Sequence, residues 1–209
     1  MSIISGVFQI RGVYHISCDG REEFKLDKHS FKKLGLNVGD DIDPDDIIAR
    51  AEKEQYKYAY ESALYILDRA ARTSADIKRA LMDRGYFEQV CDECIIRLMK
   101  AGLIDDAAYA QRMAQIATQK PISRAALKMK MRSKGLSNDD AEKALESISD
   151  EDQKAALNAL ADKLSKRYDG LEPREARRKL SAALARRGFN WDEINARMDA
   201  MYSADDEFF

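Results

Sequence analysis

The sequence predicts a mainly α protein: an elongated array of three tandem three-helix repeats behind a small N-terminal β-rich cap. Three observations carry this reading. The first is a segment that recurs as Ile77/Leu81/Arg84/Gly85/Tyr86, Leu127/Met131/Lys134/Gly135/Leu136 and Leu180/Leu184/Arg187/Gly188/Phe189, with glycines 50 and 53 residues apart. The second is the apolar spacing after each glycine, which repeats as Cys91/Ile95/Leu98, Ala141/Leu145/Ile148 and Ile194/Met198/Met201. The third is the scarcity of breakers: 3 prolines and 10 glycines in 209 residues. A fixed period of this length marks one supersecondary unit repeated along the chain. Stacked units bury their apolar faces on each other and leave a long outer surface, which suits an extended partner.

The elements follow in order. Residues 3–27 read as strands: Val7–Ile10 and Val13–Ile16 are β-rich around Gly12, and Asp19-Gly20 is a hairpin signal before Phe24 and Leu26 at period two. Phe31, Leu34 and Leu36 suggest a short helical turn ending at Gly35, and Asn37–Asp40 a turn. Pro44 suits the first turn of a helix from about Asp45. The cap with the start of this linking helix is assigned to 1–54, and the repeats to 55–104, 105–149 and 150–204. Each repeat reads as a long helix, a shorter middle helix, a glycine turn and a third helix. Thr73–Asp76 makes a capping-box-like start to the first middle helix, the second starts at Ser123, and Pro173 lies near the start of the third. Asn190–Glu193 caps the last helix. Gly85, Gly135 and Gly188 sit where a helix C-terminus wants a left-handed residue. An acidic and aromatic tail, Asp205-Asp206-Glu207-Phe208-Phe209, closes the chain.

Composition narrows the class. Apolar residues are 45% of the chain, enough for cores, and charged residues 34%, above the usual quarter. A net charge of −2 conceals blocks of both signs. No apolar run approaches a membrane span, and no secretory signal opens the chain, so no membrane partner is expected. Three cysteines, an odd number, fit a reduced, cytoplasmic setting better than a disulfide framework. Cys91-x-x-Cys94 lacks further zinc ligands nearby, and Cys91 falls on the repeat position occupied by Ala141 and Ile194, so it reads as core. No metal, cofactor or catalytic residue is assigned: phosphate loop, nucleophile elbow and metal cluster are all missing from the sequence.

Charge is segregated. Gln119–Gly135 holds six basic residues and no acid: Lys120, Arg124, Lys128, Lys130, Arg132 and Lys134. Arg124, Lys128 and Arg132 are four apart and share a helical face, with Leu127 and Met131 placed to pack inward. Residues 163–187 hold nine basic residues against three acids, with Arg174 and Arg178 as an outward pair and Arg177, Lys179 and Arg186 nearby. Lys78, Arg79 and Arg84 carry charge on the first middle helix. Residues 136–152 between the basic blocks carry seven acids and one lysine. The middle helices are thus expected to form a basic strip for an anionic polymer or an acidic groove. A helix-turn-helix reader of DNA is disfavoured, because the helices after the glycines open with acids: Glu88, Asp139 and Asp140, Asp192 and Glu193.

Several residues resemble a known family. Leu67, Arg69, Arg72, Thr73, Asp76, Ile77, Leu81, Arg84 and Gly85 are similar to the first-repeat signature of RecX, the bacterial regulator of the recombinase RecA. Gly102-Leu103-Ile104-Asp105-Asp106-Ala107-Ala108-Tyr109-Ala110 resembles that family's most distinctive run. Lys134-Gly135-Leu136 is similar as well, and Tyr14-x-Ile16-x-x-Asp19-Gly20-x-x-x-Phe24 looks like the cap of longer members. The resemblance implies a curved array that lies in the groove of the RecA–DNA filament. It also implies modulation, usually downward, of RecA's strand exchange, ATP hydrolysis and coprotease activities in DNA repair and the SOS response. Direct binding of single- or double-stranded DNA is implied too. The candidate contacts are Lys78, Arg79, Arg84, Lys120, Arg124, Lys128, Arg132, Lys134, Arg174, Arg177, Arg178 and Arg186, on a protein expected to be a monomer without cofactor. The competing expectations are a nucleic-acid-binding repeat acting independently of RecA, and an adaptor for another protein.

Overall fold

The computed structural model describes residues 1–202, apart from the side chains of Glu22 and Glu23. The acidic and aromatic tail lies outside the described residues. The chain forms two compact units, Met1–Asp105 and Asp106–Phe209.

The first unit opens with an antiparallel sheet of order β3-β2-β1-β4. Its strands are β1 (Ser2–Ile10), β2 (Val13–Cys18), β3 (Arg21–Leu26) and β4 (Asp41–Ile42). Asp19 and Gly20 turn the β2–β3 hairpin with φ of 50° and 81°, and Arg11 and Gly12 turn β1 into β2 with 50° and 88°. Both dipeptides supply the two left-handed residues that match the twist of the flanking strands. β4 is a strand that the sequence reading did not contain. Its two residues pair with Ser2 and Ile3, too few to print an alternating pattern. Asp27 caps α1 (Lys28–Leu34) by accepting from the amides of His29 and Ser30, and Gly35 ends it at φ 63°. Ile4, Ile16, Cys18, Phe24 and Leu26 bury one face of the sheet against Leu36, Ile42, Ile47 and Ala51.

α2 (Pro44–Arg69) runs unbroken for 26 residues, with Asp43 as its cap and Pro44 in its first turn. Its near half gives Ile47 and Ala51 to the cap core. Its far half gives Ala59 and Ala63 to the core of the first repeat, with α3 (Ser74–Met82) and α4 (Glu88–Lys100). Thr73 caps α3 by accepting from the Asp76 amide. Between the two cores sits Gln55, wholly buried. Its Nε2 donates to the Gly85 carbonyl at 3.1 Å and its Oε1 accepts from the Phe87 amide at 2.8 Å. One side chain thus satisfies two backbone groups of the glycine turn.

The second unit holds two repeats: α5 (Asp106–Ala117), α6 (Arg124–Ser133) and α7 (Asn138–Glu146), then α8 (Asp150–Ser165), α9 (Pro173–Ala185) and α10 (Trp191–Tyr202). Ser123, Ser137 and Ser149 cap α6, α7 and α8, the last as a full capping box with Asp152. Ala110, Ala114 and Ala117 of α5 face Ala141 and Ala144 of α7 in one core, so those two helices approach closely. The third repeat is packed with larger groups, among them Leu157, Leu164, Leu180, Leu184 and Met198. Truncating one such side chain to alanine costs about 2–5 kcal/mol.

The repeat glycines do what the sequence requires, with φ of 87°, 77° and 82° at Gly85, Gly135 and Gly188. Two of them carry a second constraint. A Cβ on Gly85 would stand 2.9 Å from the backbone of Leu26 and Asp27 and from Val13 Cγ1. A Cβ on Gly188 would meet Ser123 Oγ at 2.9 Å and Ala125 Cβ at 3.1 Å. Each turn is therefore also a contact, with the cap in the first unit and with the start of α6 in the second.

Candidate functional site

The middle helices α3, α6 and α9 hold most of the expected basic contacts, but the structure divides these residues into two kinds. The first kind is tied inside its own unit. Lys78 on α3 bridges Glu88 at 2.8 Å and Asp92 at 2.7 Å on α4. Hydrogen bonds to Asp92 and Glu88 hold its ammonium above the ordinary lysine range. Lys128 on α6 reaches Glu142 on α7 at 2.8 Å. Both lysines lie seven residues before their repeat glycine, and Asp92 and Glu142 lie seven after it. The third repeat has Ser181 and Asn195 at those positions and instead pairs Arg177 with Asp199 at 2.5 Å.

Arg124 does not project from the face it shares by spacing with Lys128 and Arg132. Its guanidinium donates to Asp150 at 2.8 Å and to the Ile148 carbonyl, and its amide donates to Gln153 Oε1 at 3.0 Å. The reason is its place in the first turn of α6, beside the start of α8. It joins the second repeat to the third. Arg79 lies 3.4 Å from Asp76, and Arg84 donates to the Ser62 carbonyl at 3.5 Å.

The second kind faces solvent. Lys120, Lys130, Arg132, Arg174, Arg178 and Arg186 are exposed, and their side chains make no hydrogen bond or ion pair to another described residue. Lys134 is half-buried. The six exposed cations, all in the second unit, are the ones available to an anionic partner.

Among the described residues no group of three His, Cys, Asp or Glu side chains is placed to hold a metal ion. Cys91 and Cys94 are fully buried core residues, as their repeat position suggests. Burial pushes the Cys91 thiol up to about 12 and the Cys94 thiol to about 11, so neither is an ionised nucleophile near neutrality. Among the described residues no helix is long and apolar enough to cross a membrane.

Comparison with known proteins bears on this geometry directly. The three-helix domains of RecX match in order: the first at residues 59–98, the second at 105–145 and the third at 150–197. Together they cover more than half of the chain. The chain belongs to the RecX family. Its relatives include the Regulatory protein RecX of Leuconostoc mesenteroides, 28% identical over 94% of this chain and 74% of that one. The Regulatory protein RecX of Bacillus subtilis is 28% identical over 93% of this chain and 74% of its own length. A crystal structure of regulatory protein RecX superposes with a TM-score of 0.66 at 26% identity, covering 93% of this chain and 98% of that one. The RecX structure from Lactobacillus salivarius gives 0.62 at 26% identity over 69% and 94%.

The stretches that resemble RecX most are structural. Ile104 packs in the core of the first repeat, and Ala110 with Tyr109 in that of the second. Sequence reasoning missed the aromatic contacts of α2. Arg69 lies over the Tyr65 ring at 4.3 Å, and Arg97 over Tyr60 at 4.8 Å and Tyr56 at 5.8 Å. The available signal was two four-residue spacings on opposite faces of α2, Tyr56 with Tyr60 and Tyr65 with Arg69.

Proposed function

We propose that this RecX-family chain is a non-enzymatic, cytoplasmic regulator that binds the RecA–DNA filament as a monomer and lowers RecA's recombinase, ATPase and coprotease activities. The observation that carries the reading is the ordered match of all three RecX domains along one chain. The exposed cations support it electrostatically, since positive side chains held in solvent outside any ion pair attract an anionic filament. Contact is assigned to Lys120, Lys130, Arg132, Arg174, Arg178 and Arg186. Arg124, Lys128 and Arg177 act one step back, tying helices of the second unit to one another.

The test is a titration of RecA's DNA-dependent ATPase. The wild-type chain slows hydrolysis at amounts too small to coat the free DNA, and R132E/R178E needs several-fold more protein for the same effect. An ATPase rate unmoved by saturating wild-type protein sinks the reading. Inhibition only at amounts that coat the DNA, with a log-linear salt dependence of about −0.7 to −0.9 per phosphate contacted, would point to a nucleic-acid module acting without RecA.

A further inference from the structure

The second repeat contains a cleft that its helix packing leaves open. Alanines draw α5 and α7 together in its core. A cavity of about 230 Å³ opens between α5 and α6. Its floor and walls are Tyr109, Met113 and Ile116 on α5, Ile122 in the connecting loop and Leu127 on α6. Ile116 is 47% exposed there, although it belongs to a helix with an apolar face to bury. Lys120, Lys130 and Lys134 line the same cavity, and no acid lines it. Lys120 and Lys130 make no ion pair with another described residue.

We infer that this cleft captures a short acidic segment of a protein partner through one bulky apolar side chain. Charge complementarity selects an acidic segment, because lysines whose stems wall the cavity hold their ammonium groups at its rim. Size selects the anchor: the volume is below that of an ordinary small-molecule pocket and admits one large side chain. The floor favours protein over nucleic acid. Bases seek flat aromatic platforms, whereas this lining offers Met113, Ile116, Ile122 and Leu127 with Tyr109 as its one aromatic residue. The inference deepens the proposed function and rests on its premise that the chain works by gripping a protein, here by a contact separate from Arg132 and Arg178.

The test uses the full chain and a fluorescein-labelled peptide of alternating Glu and Ser with one central Phe, read by anisotropy. The peptide binds the wild type, and K120E/K130E weakens it by about tenfold or more. Replacing the peptide's Phe by Ala weakens it comparably, and methyl NMR shifts on binding centre on Met113 and Ile116. Equal binding by the Ala peptide, or by K120E/K130E, overturns the inference. So does an oligo-dT that displaces the peptide and loses its own affinity in the same variant. Truncation after Tyr202 with a tenfold gain in peptide affinity also overturns it, in favour of the chain's own acidic end as occupant. No recombinase enters this measurement, so its failure is distinct from a failure of the ATPase titration.

Discussion

Ser123 Oγ donates to the carbonyl of Arg187 at 2.6 Å, joining the first turn of α6 to the turn that ends α9. The same oxygen accepts from the Ala126 amide at 3.1 Å, so one buried hydroxyl caps a helix and ties two repeats. Ser123→Ala removes both bonds and leaves the Arg187 carbonyl without this donor. The expected loss is about 1–3 kcal/mol, read as a lower urea midpoint. An unchanged midpoint would show that the inter-repeat bond contributes nothing.

Gly85 and Gly102 separate two effects of a glycine. Both have positive φ, 87° and 68°, but a Cβ on Gly102 meets nothing within 4 Å. Gly102→Ala should cost about 1–2 kcal/mol, the strain of a left-handed alanine. Gly85→Ala adds a collision with the backbone of Leu26 and Asp27 and should cost distinctly more. Equal costs in parallel denaturation curves would contradict the close approach.

Arg124 and Arg132 lie two turns apart on α6 yet should behave differently. Arg132→Ala is expected to stay within about 0.5 kcal/mol of wild type, as for an exposed side chain with no special contact. Arg124→Ala loses charge-assisted hydrogen bonds to Asp150 and the Ile148 carbonyl and should cost about 1.5–3 kcal/mol. Comparable thermal midpoints for the two variants would count against this division of labour.

The thiols give a pH prediction. Cys91 and Cys94 titrate near 12 and 11 when folded, above the value of 9.0 for an unperturbed thiol. Between those values the native state holds protons that the unfolded chain releases. The stability contributed is therefore complete below about pH 9 and is lost as pH rises through the folded values. Unfolding free energy should fall above pH 9, less steeply in C91A/C94A. Ellman's reagent at neutral pH should find none of the three buried cysteines in the native protein and all three in denaturant.

Much of this was legible in the sequence. Gly85, Gly135 and Gly188 located the three helix ends, and the apolar positions around them located the cores, because helical spacing is a local property. Thr73 and Ser123 were readable as caps for the same reason. The site was read less well. Arg124, Lys128 and Arg132 at four-residue spacing share a face only in an isolated helix. Which of them stays in solvent depends on Asp150, Glu142 and the Ile148 carbonyl, brought up by other helices. The cleft beside Lys120 and Lys130 was invisible for a related reason, since its lining comes from α5, the connecting loop and α6 together. β4 escaped notice because two residues carry no period.

Ile47 and Ala51 serve the sheet while Ala59 and Ala63 serve the first repeat, all along one uninterrupted helix. The two layers share a single ladder of backbone bonds, with Gln55 riveted at its midpoint. A helix shared by both cores couples their unfolding, and the N-terminal half is expected to open as one cooperative foldon. Hydrogen exchange along α2 should accordingly show one common opening free energy, with no soft seam between cap and repeat.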